Sequence, residues 1–437
     1  MRLIVLGLLL AATAAAADER YTPVGAERAG NAEGTIPAWN GGLNEADWPK
    51  AYRRGGRLVN PYPQDQPLFD ITPRNYAGYS SRLSEAHQAL LRKYPEYRMP
   101  VYATRRSASY APQIYRATQA NALTARLGGP DELEGARLGF PFPHPRSGAE
   151  AMWNHRARYR GDAVESRATD ALVPAAGGAP QFVKVHLWRL FRYANLADPA
   201  DPDKENVLFY HKALWSEMGS QDLKLFNLVR ESVNTARQPR AIWAGGRGSK
   251  LFRLPPVGHD VVGADTDQMM FLDMGDMYNG AFDRYTWKML GKRELYIPYN
   301  SYRLSDGSFS YQKILTPGFI RPEAARYELH RVWGVEATLR SGFAHAFGKR
   351  RFYLDEDSWN IVLVENYDPA GRLWRFQEGH LIEDYGVQFA TCAPDVVYDM
   401  RQGRYFASGL LAEETPPKYD VPGLRRDQFL PASSRLQ

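Results

Sequence analysis

The stretch Tyr327-Glu328-Leu329-His330-Arg331-Val332-Trp333-Gly334-Val335-Glu336-Ala337-Thr338-Leu339 decides the fold class. Tyr327, Leu329, Arg331, Trp333, Val335, Ala337 and Leu339 fall on one side of an extended backbone, and Glu328, His330, Val332, Gly334, Glu336 and Thr338 on the other. A side-chain period of two sustained over this length predicts a long β-strand. Polar groups on both sides predict a twisted, partly wet sheet. Downstream, 351–367 reads as a hairpin turning at Asp355-Glu356-Asp357-Ser358, 371–379 as the next strand, and 396–409 as a hairpin turning at Gln402-Gly403. Upstream, 182–193, 206–215 and 223–233 alternate Val, Leu, Phe, Tyr and Trp with polar residues. Strands that follow one another through short turns favour an antiparallel meander over a βαβ sheet. The expectation is one strongly curved antiparallel sheet over 180–410, within a β segment 180–437.

The chain before that segment has another texture. A helix is expected over 80–93, where Leu83, His87, Leu90 and Leu91 share a face behind Ser80 and Ser81 and Pro95 ends the run. A second is expected over 112–127, and a third over 147–158, where Ser147 caps and Glu150 reaches back before Met152 and Trp153. Together they define a helical lid region over 80–179. Between them Gly139-Phe140-Pro141-Phe142-Pro143 is too rich in proline for helix or central strand. Residues 18–79, rich in Gly, Pro, Asn and Tyr, have no period and read as an extended arm held down by Trp39 and Trp48. At the start, Arg2, the apolar run Leu3 to Leu10 and the small residues Ala11 to Ala17 have the build of a signal peptide over 1–17. Cleavage is expected after Ala16 or Ala17, and no Cys stands there to take a lipid anchor.

Composition excludes several classes. The 437 residues are 24% charged and 44% hydrophobic, with 30 Pro, 37 Gly and one Cys, which is the profile of a folded protein. The net charge of +6 is spread evenly, and Lys349-Arg350-Arg351 is the longest basic run, so no nucleic-acid footprint is present. Cys392 alone cannot form an intramolecular disulfide or a Cys-clustered metal site. A nucleophile elbow, a P-loop, G-x-G-x-x-G and H-E-x-x-H are all absent. The acidic turn at 355–357 lacks the spaced ligands and the glycine of an EF-hand and reads as a solvated turn. The nine His are scattered; His330 and His345 lie near carboxylates and read as packing or surface groups. No catalytic residue, metal or cofactor is therefore assigned, and the reading is not that of an enzyme. The aromatic content, 13%, is the more suggestive feature, and Trp215 is one of seven Trp in the β-rich half. Trp188, Trp243, Trp287, Trp333, Trp359 and Trp374 are taken as candidates to line an apolar cavity on the concave side. Which of them face inward depends on register.

Specific strings point further. They are Asn31-Ala32-Glu33-Gly34-Thr35-Ile36-Pro37-Ala38-Trp39, Tyr94-Pro95-Glu96-Tyr97-Arg98-Met99-Pro100-Val101-Tyr102, and Gly139-Phe140-Pro141-Phe142-Pro143 with Trp153-Asn154-His155. Leu295-Tyr296-Ile297-Pro298-Tyr299-Asn300, Tyr327 to Trp333 and Tyr353-Leu354-Asp355-Glu356-Asp357-Ser358-Trp359 complete the set. Together they resemble the DUF1329 family of Gram-negative periplasmic proteins over nearly the whole mature chain. The resemblance implies a mainly β fold of the LolA/LolB type, a half-open antiparallel β-barrel with helices covering its concave face. It implies a periplasmic carrier of a hydrophobic, lipid-like ligand, working with an RND-type inner-membrane transporter and a DUF1302-type outer-membrane protein. Without a lipobox Cys, a soluble carrier fits better than an anchored receptor. A structural adaptor without a ligand and a lipid or ester hydrolase are the alternatives. Arg greatly outnumbers Lys; the excess could meet anionic head groups at a cavity rim, but a GC-rich genome explains the same bias and is the favoured reading.

Overall fold

The structure, a computed structural model, describes residues 19–175, 178–217, 223–246, 249–255 and 268–431. The signal peptide read over 1–17 lies outside them. Fifteen strands form the main sheet. In chain order they are β1 Phe69–Ile71, β2 Met99–Val101, β3 Ala163–Val173, β4 Gln181–Phe191, β5 Phe209–Glu217, β6 Leu223–Glu231, β7 Ala241–Gly245 and β8 Phe252–Arg253. Then come β9 Tyr285–Pro298, β10 Tyr327–Leu339, β11 Lys349–Asp355, β12 Ile361–Tyr367, β13 Leu373–Asp384, β14 Phe389–Asp399 and β15 Tyr405–Leu410.

Two antiparallel meanders make up this sheet. One runs from β3 to β8, the other from β9 to β15, and β15 pairs with β3 to join them. The antiparallel pair β1–β2, whose strands are separated in the chain by a 3-10 turn and a helix, adds on through one parallel bridge, Val101 to Tyr327. Since β8 and β9 sit at opposite ends of the order, the chain between them has to cross the sheet, and it carries Asp273 and Asp276 across.

The curl of the sheet follows from one helix. Helix α3, Gly148–Ala157, is buried at every residue except Glu150. At its start a Cβ on Gly148 would lie 2.9 Å from Val335 Cγ1 in β10 and 3.2 Å from Trp287 Cβ in β9, so only glycine fits. Near its end Arg156 Nη2 donates to Glu231 Oε1 in β6 at 3.0 Å. From β10 to β6 is nine strand spacings in the sheet order, roughly 43 Å if flat, whereas ten residues of helix span roughly 15 Å. The sheet therefore wraps round α3, and the side facing α3 is concave. It does not close, and the result is a mainly β, half-open barrel with helices, as expected.

The other helices differ in detail from the reading above. Helix α1 is Glu85–Lys93, capped by Ser84 accepting from His87 N; the preceding Tyr76–Arg82 is a 3-10 turn, so Ser80 and Ser81 cap nothing. It packs on the convex face, where His87 Nε2 lies 2.8 Å from Glu378 Oε1 of β13. Helix α2, Pro112–Thr124, stops short because Arg126–Leu127 pairs as a short strand. Ser147 caps α3 as expected, but Glu150 Oε2 takes the N–H of Arg146 instead of that of Ser147.

Three larger corrections concern burial. The helical region does not extend to 179: Ala163–Val173 is a central strand of the sheet. Ala171 is fully buried between two strand neighbours, where a small side chain suits close packing. Strand β10 is wet only toward its far end, where Thr338 is exposed and Trp333, Glu336 and Leu339 are half-buried. Glu328 is fully buried and accepts from Arg326 Nε (2.6 Å), Arg105 N (2.6 Å) and Asn300 Nδ2 (2.9 Å).

The acidic turn is not solvated either, since Asp355, Glu356 and Asp357 are all buried. Both oxygens of Asp357 accept from Arg106, at 2.7 and 2.8 Å, and Glu356 pairs with Arg331 and Lys292. The same guanidinium groups donate to the arm: Arg106 to Glu27 O, Arg28 O and Pro37 O, and Arg331 to Ala29 O. Trp359 Nε1 adds a bond to Val24 O at 2.9 Å. Charged residues that look solvent-seeking in sequence are thus the attachment of the arm to the sheet.

Arg106→Ala leaves Asp357 buried without its cation. Loss of one partner of a buried pair costs about 3–5 kcal/mol. Urea unfolding should show a drop of that order, and limited proteolysis should cut within 20–40 faster than in the wild type. An unchanged midpoint with an intact arm would contradict this account of the attachment.

Candidate functional site

The concave face has two halves with different contents. Toward β9–β12 it is filled by α3 and by Trp153, Tyr278, Phe282, Trp287, Phe352 and Trp359. Toward β4–β7 the strand register decides what is left. Arg160 lies over the Phe191 ring at 4.9 Å and the Phe209 ring at 5.6 Å, so these paired residues of β4 and β5 face the α3 side. Stepping by two along the ladders places Arg189, Leu187 and Val185 of β4 and His211, Ala213 and Trp215 of β5 on that same side. Asn227 and Val229 of β6, with Ile242 and Ala244 of β7, follow by pairing. Val185 and Ala213 are buried, whereas Leu187, Trp215, Val229 and Ile242 keep some accessible surface. They form an apolar wall.

Below the wall lies a floor of charge. Arg158 and Arg160, just past α3, both pair with Asp276 from the crossing connection. His155 accepts from Ile361 N at Nδ1 and donates from Nε2 to Asp276 O at 2.8 Å, which fixes its tautomer. Burial, reinforced by the Arg158 charge, pushes His155 down to about 3, so the ring is neutral. Burial would raise Asp276, but the Arg158 and Arg160 charges hold it well below the usual carboxylate range. Asp395 of β14 goes the other way: burial, together with the Asp276 charge, pushes it up to about 8. Arg189 and His211 are both lowered by burial although neither is sealed from solvent-sized space. Desolvation without sealing is the condition of groups lining an interior space.

The six candidate tryptophans are not brought together. Trp188 and Trp243 take the convex face, opposite in register to Arg189 and Ile242; Lys212 covers Trp188 and Arg253 covers Trp243. Trp287, Trp333 and Trp359 belong to the packed half, with Trp333 and Trp359 stacked at 6.2 Å. Trp374 packs between Phe347, Arg375 and Arg401. Trp215, which the sequence reading left out of the cavity set, is the tryptophan on the open part of the concave wall. Its signal was the alternation His211, Ala213, Trp215, but only pairing with β4 says which side that alternation faces.

Other places offer less. Among the described residues His330, Asp355 and Asp357 are spaced like metal ligands, within 4.8 Å, but both oxygens of Asp357 are held by Arg106. A cleft of about 680 Å³ opens between Leu190 and the 420–426 segment, away from the wall, and its Arg192 is paired with Glu205 and Asp198. Among the described residues neither His155 nor His211 has a Ser, Thr or Cys partner.

The Asp395 shift has a measurable sign. Its folded-state carboxyl keeps a proton that the unfolded chain releases above about pH 4. Its contribution to stability therefore falls as pH rises from there to about 8. Asp395→Asn copies the neutral form. The Tm advantage of this variant over wild type should grow between pH 5 and pH 8; parallel curves would remove Asp395 from the interior.

Comparison with known proteins follows the same line. An uncharacterized protein of Pseudomonas aeruginosa is 42% identical over 426 residues, covering 94% of this chain and 92% of that one. Among solved structures, a DUF1329 family protein from Desulfovibrio piger matches with TM-score 0.41 at 14% identity, covering 63% of this chain and 92% of that one. A LolA superfamily protein from Nitrosomonas europaea matches with TM-score 0.35 at 12% identity, covering 65% and 98%. Both scores are too low to transfer anything to this chain. The family model described as "Protein of unknown function (DUF1329)" matches residues 70–435, and the chain belongs to that family.

Proposed function

We propose that this protein carries a hydrophobic, lipid-like molecule, lodged against the concave wall of β4 to β7. The observation that carries this reading is the wall itself, where Leu187, Trp215, Val229 and Ile242 keep accessible surface inside a sheet that does not close. A hydrocarbon chain gains about 0.8 kcal/mol per CH₂ buried, and the wall offers that burial. Free sheet edges give cargo a way in and out that a closed barrel lacks. The signal peptide read in the sequence supports work in the periplasm as a soluble chain beginning at Ala17 or Asp18. In this reading an RND-type transporter and a DUF1302-type outer-membrane protein stand at either end of the journey. The filling of the other half of the concavity by α3 favours a second reading, a structural adaptor without cargo.

A neutral naphthylamine dye whose fluorescence rises in apolar surroundings separates the two. Saturable binding is expected. Trp215→Glu, and separately Ile242→Asp, should weaken it at least about tenfold, or 1.4 kcal/mol, while Trp188→Glu on the convex face leaves it alone. Circular dichroism confirms folding of each variant. No saturable binding by the folded wild type would favour the adaptor, and equal losses in all three variants would place the dye elsewhere.

A further inference from the structure

The floor beneath the apolar wall carries more positive charge than it neutralises. Arg158, Arg160 and Arg189 meet there, and among the described residues the one carboxylate bonded to any of them, Asp276, is shared by the first two. Most buried arginines elsewhere in the described chain are matched: Arg106 by Asp357, Arg156 by Asp131 and Glu231, Arg326 by Glu328, Arg331 by Glu356, Arg350 by Asp273, while Arg375 donates to the Met269 and Gln268 carbonyls instead. Arg189 has no such partner among the described residues. Its Nε donates to His211 Nδ1 at 3.1 Å, and its two terminal nitrogens make no bond to the described residues yet are not sealed.

The Arg189–His211 bond also sets a second donor. An imidazole that accepts at Nδ1 and is neutral carries its proton on Nε2. Burial and the neighbouring Arg189 and Arg160 charges keep His211 neutral, so its Nε2–H donates without adding charge. Asp395 completes the floor. It is close enough to feel the Arg189 and Asp276 charges, one of its oxygens has no partner, and near neutral pH it is a protonated acid. Asp395 therefore does not neutralise Arg189 under those conditions. The Asp170 carboxyl of β3, the other acid near this group, is already held by Ser408 Oγ (3.0 Å) and Gly409 N (2.8 Å).

A guanidinium taken partly out of water with no counter-charge is costly unless something anionic arrives. The planar fork of terminal N–H groups matches a carboxylate or a phosphate monoester in bidentate fashion. We propose that the concave floor is an anion subsite, in which Arg189 binds the acidic head group of an amphiphile whose hydrocarbon tail lies on the Leu187–Trp215–Ile242 wall. This rests on the carrier reading above and narrows it to one class of cargo, an acid-headed amphiphile of the fatty-acid or alkyl-phosphate kind. The arrangement of charge at one end and apolar wall beside it also sets a direction for the ligand, head toward Asp276 and tail toward β7.

The test is displacement of the neutral dye from the full mature chain by dodecanoic acid, dodecyl phosphate and dodecanol. Wild type should prefer either acid over the alcohol at least about tenfold. Arg189→Gln should bring that ratio to about one, Arg189→Lys should leave an intermediate value, and Trp188→Gln on the convex face should keep the wild-type ratio. Circular dichroism establishes that each variant folds, and Arg189→Lys carries the test if Arg189→Gln does not. Equal displacement by acid and alcohol in wild type would overturn the anion subsite and leave the carrier standing. Absence of dye binding in wild type would overturn the carrier. If inorganic phosphate displaced the dye as well as dodecyl phosphate does, the site would serve a free anion, and the amphiphile would be wrong.

Discussion

A short helix gripped by a curling sheet sets the rest of this molecule. Arg156 reaches Asp131 and Glu231, and Arg158 and Arg160 reach Asp276, so three guanidinium groups at the end of α3 fasten it to the loop before it, to β6 and to the crossing connection. Asp131 also accepts from Phe282 N and Asp283 N, and Glu231 from Arg240, which makes the fastening continuous across the concavity. Each pair has lost water on both sides and is worth keeping only if geometry is good and the leftover lone pairs are used. Here they are used, and the helix cannot leave without stranding two carboxylates. The sheet is therefore held open at a fixed width, with α3 packed toward one half of its concave face and half-buried apolar side chains, Leu187, Trp215, Val229 and Ile242, along the other.

The chain relies on such pairs repeatedly. With one cysteine it has no covalent staple, and its sequestered charges do the positioning instead: Arg350 on Asp273, Arg326 on Glu328, Arg106 on Asp357. On the convex side the same logic holds α1, where Glu378 collects His87, Tyr327 and Tyr398, and Glu365 collects Ala86 N, Tyr353 and Tyr367. Directional groups specify where an element sits in a way that apolar contact alone does not.

This explains what the sequence made legible. β10 could be bounded to the residue because its alternation runs unbroken, and the hairpins after it were visible because short turns separate clear strands, whereas its partner β9 before it was not read. Ser147 marked the start of α3 for the same local reason. β3 was hidden because one of its two neighbours, β15, lies more than two hundred positions away, and it is the pairing on both sides that gives its alanines a place between strands. The acidic turn misled because three carboxylates in a row look exposed until Arg106, Lys292 and Arg331 arrive from elsewhere. For the site, period-two alternation showed that β4 and β5 have two faces, but not which of Trp188 and Trp215 looks inward. That needed the rings of Phe191 and Phe209 under Arg160, a contact across the fold.

The joining of the two meanders through β15 and β3 has a consequence for the order of events during synthesis. Tyr405 pairs with Val173 and Leu410 with Thr169, so a strand made early waits for one of the last to be made. Until then one side of β3 presents unpaired N–H and C=O groups beside alanines, a template for pairing with other chains. Contacts of such long separation slow folding and prolong that exposure. A nascent chain of this kind is at greatest risk when it is nearly complete, and a truncation that removes only β15 leaves a sheet with an open seam through its middle.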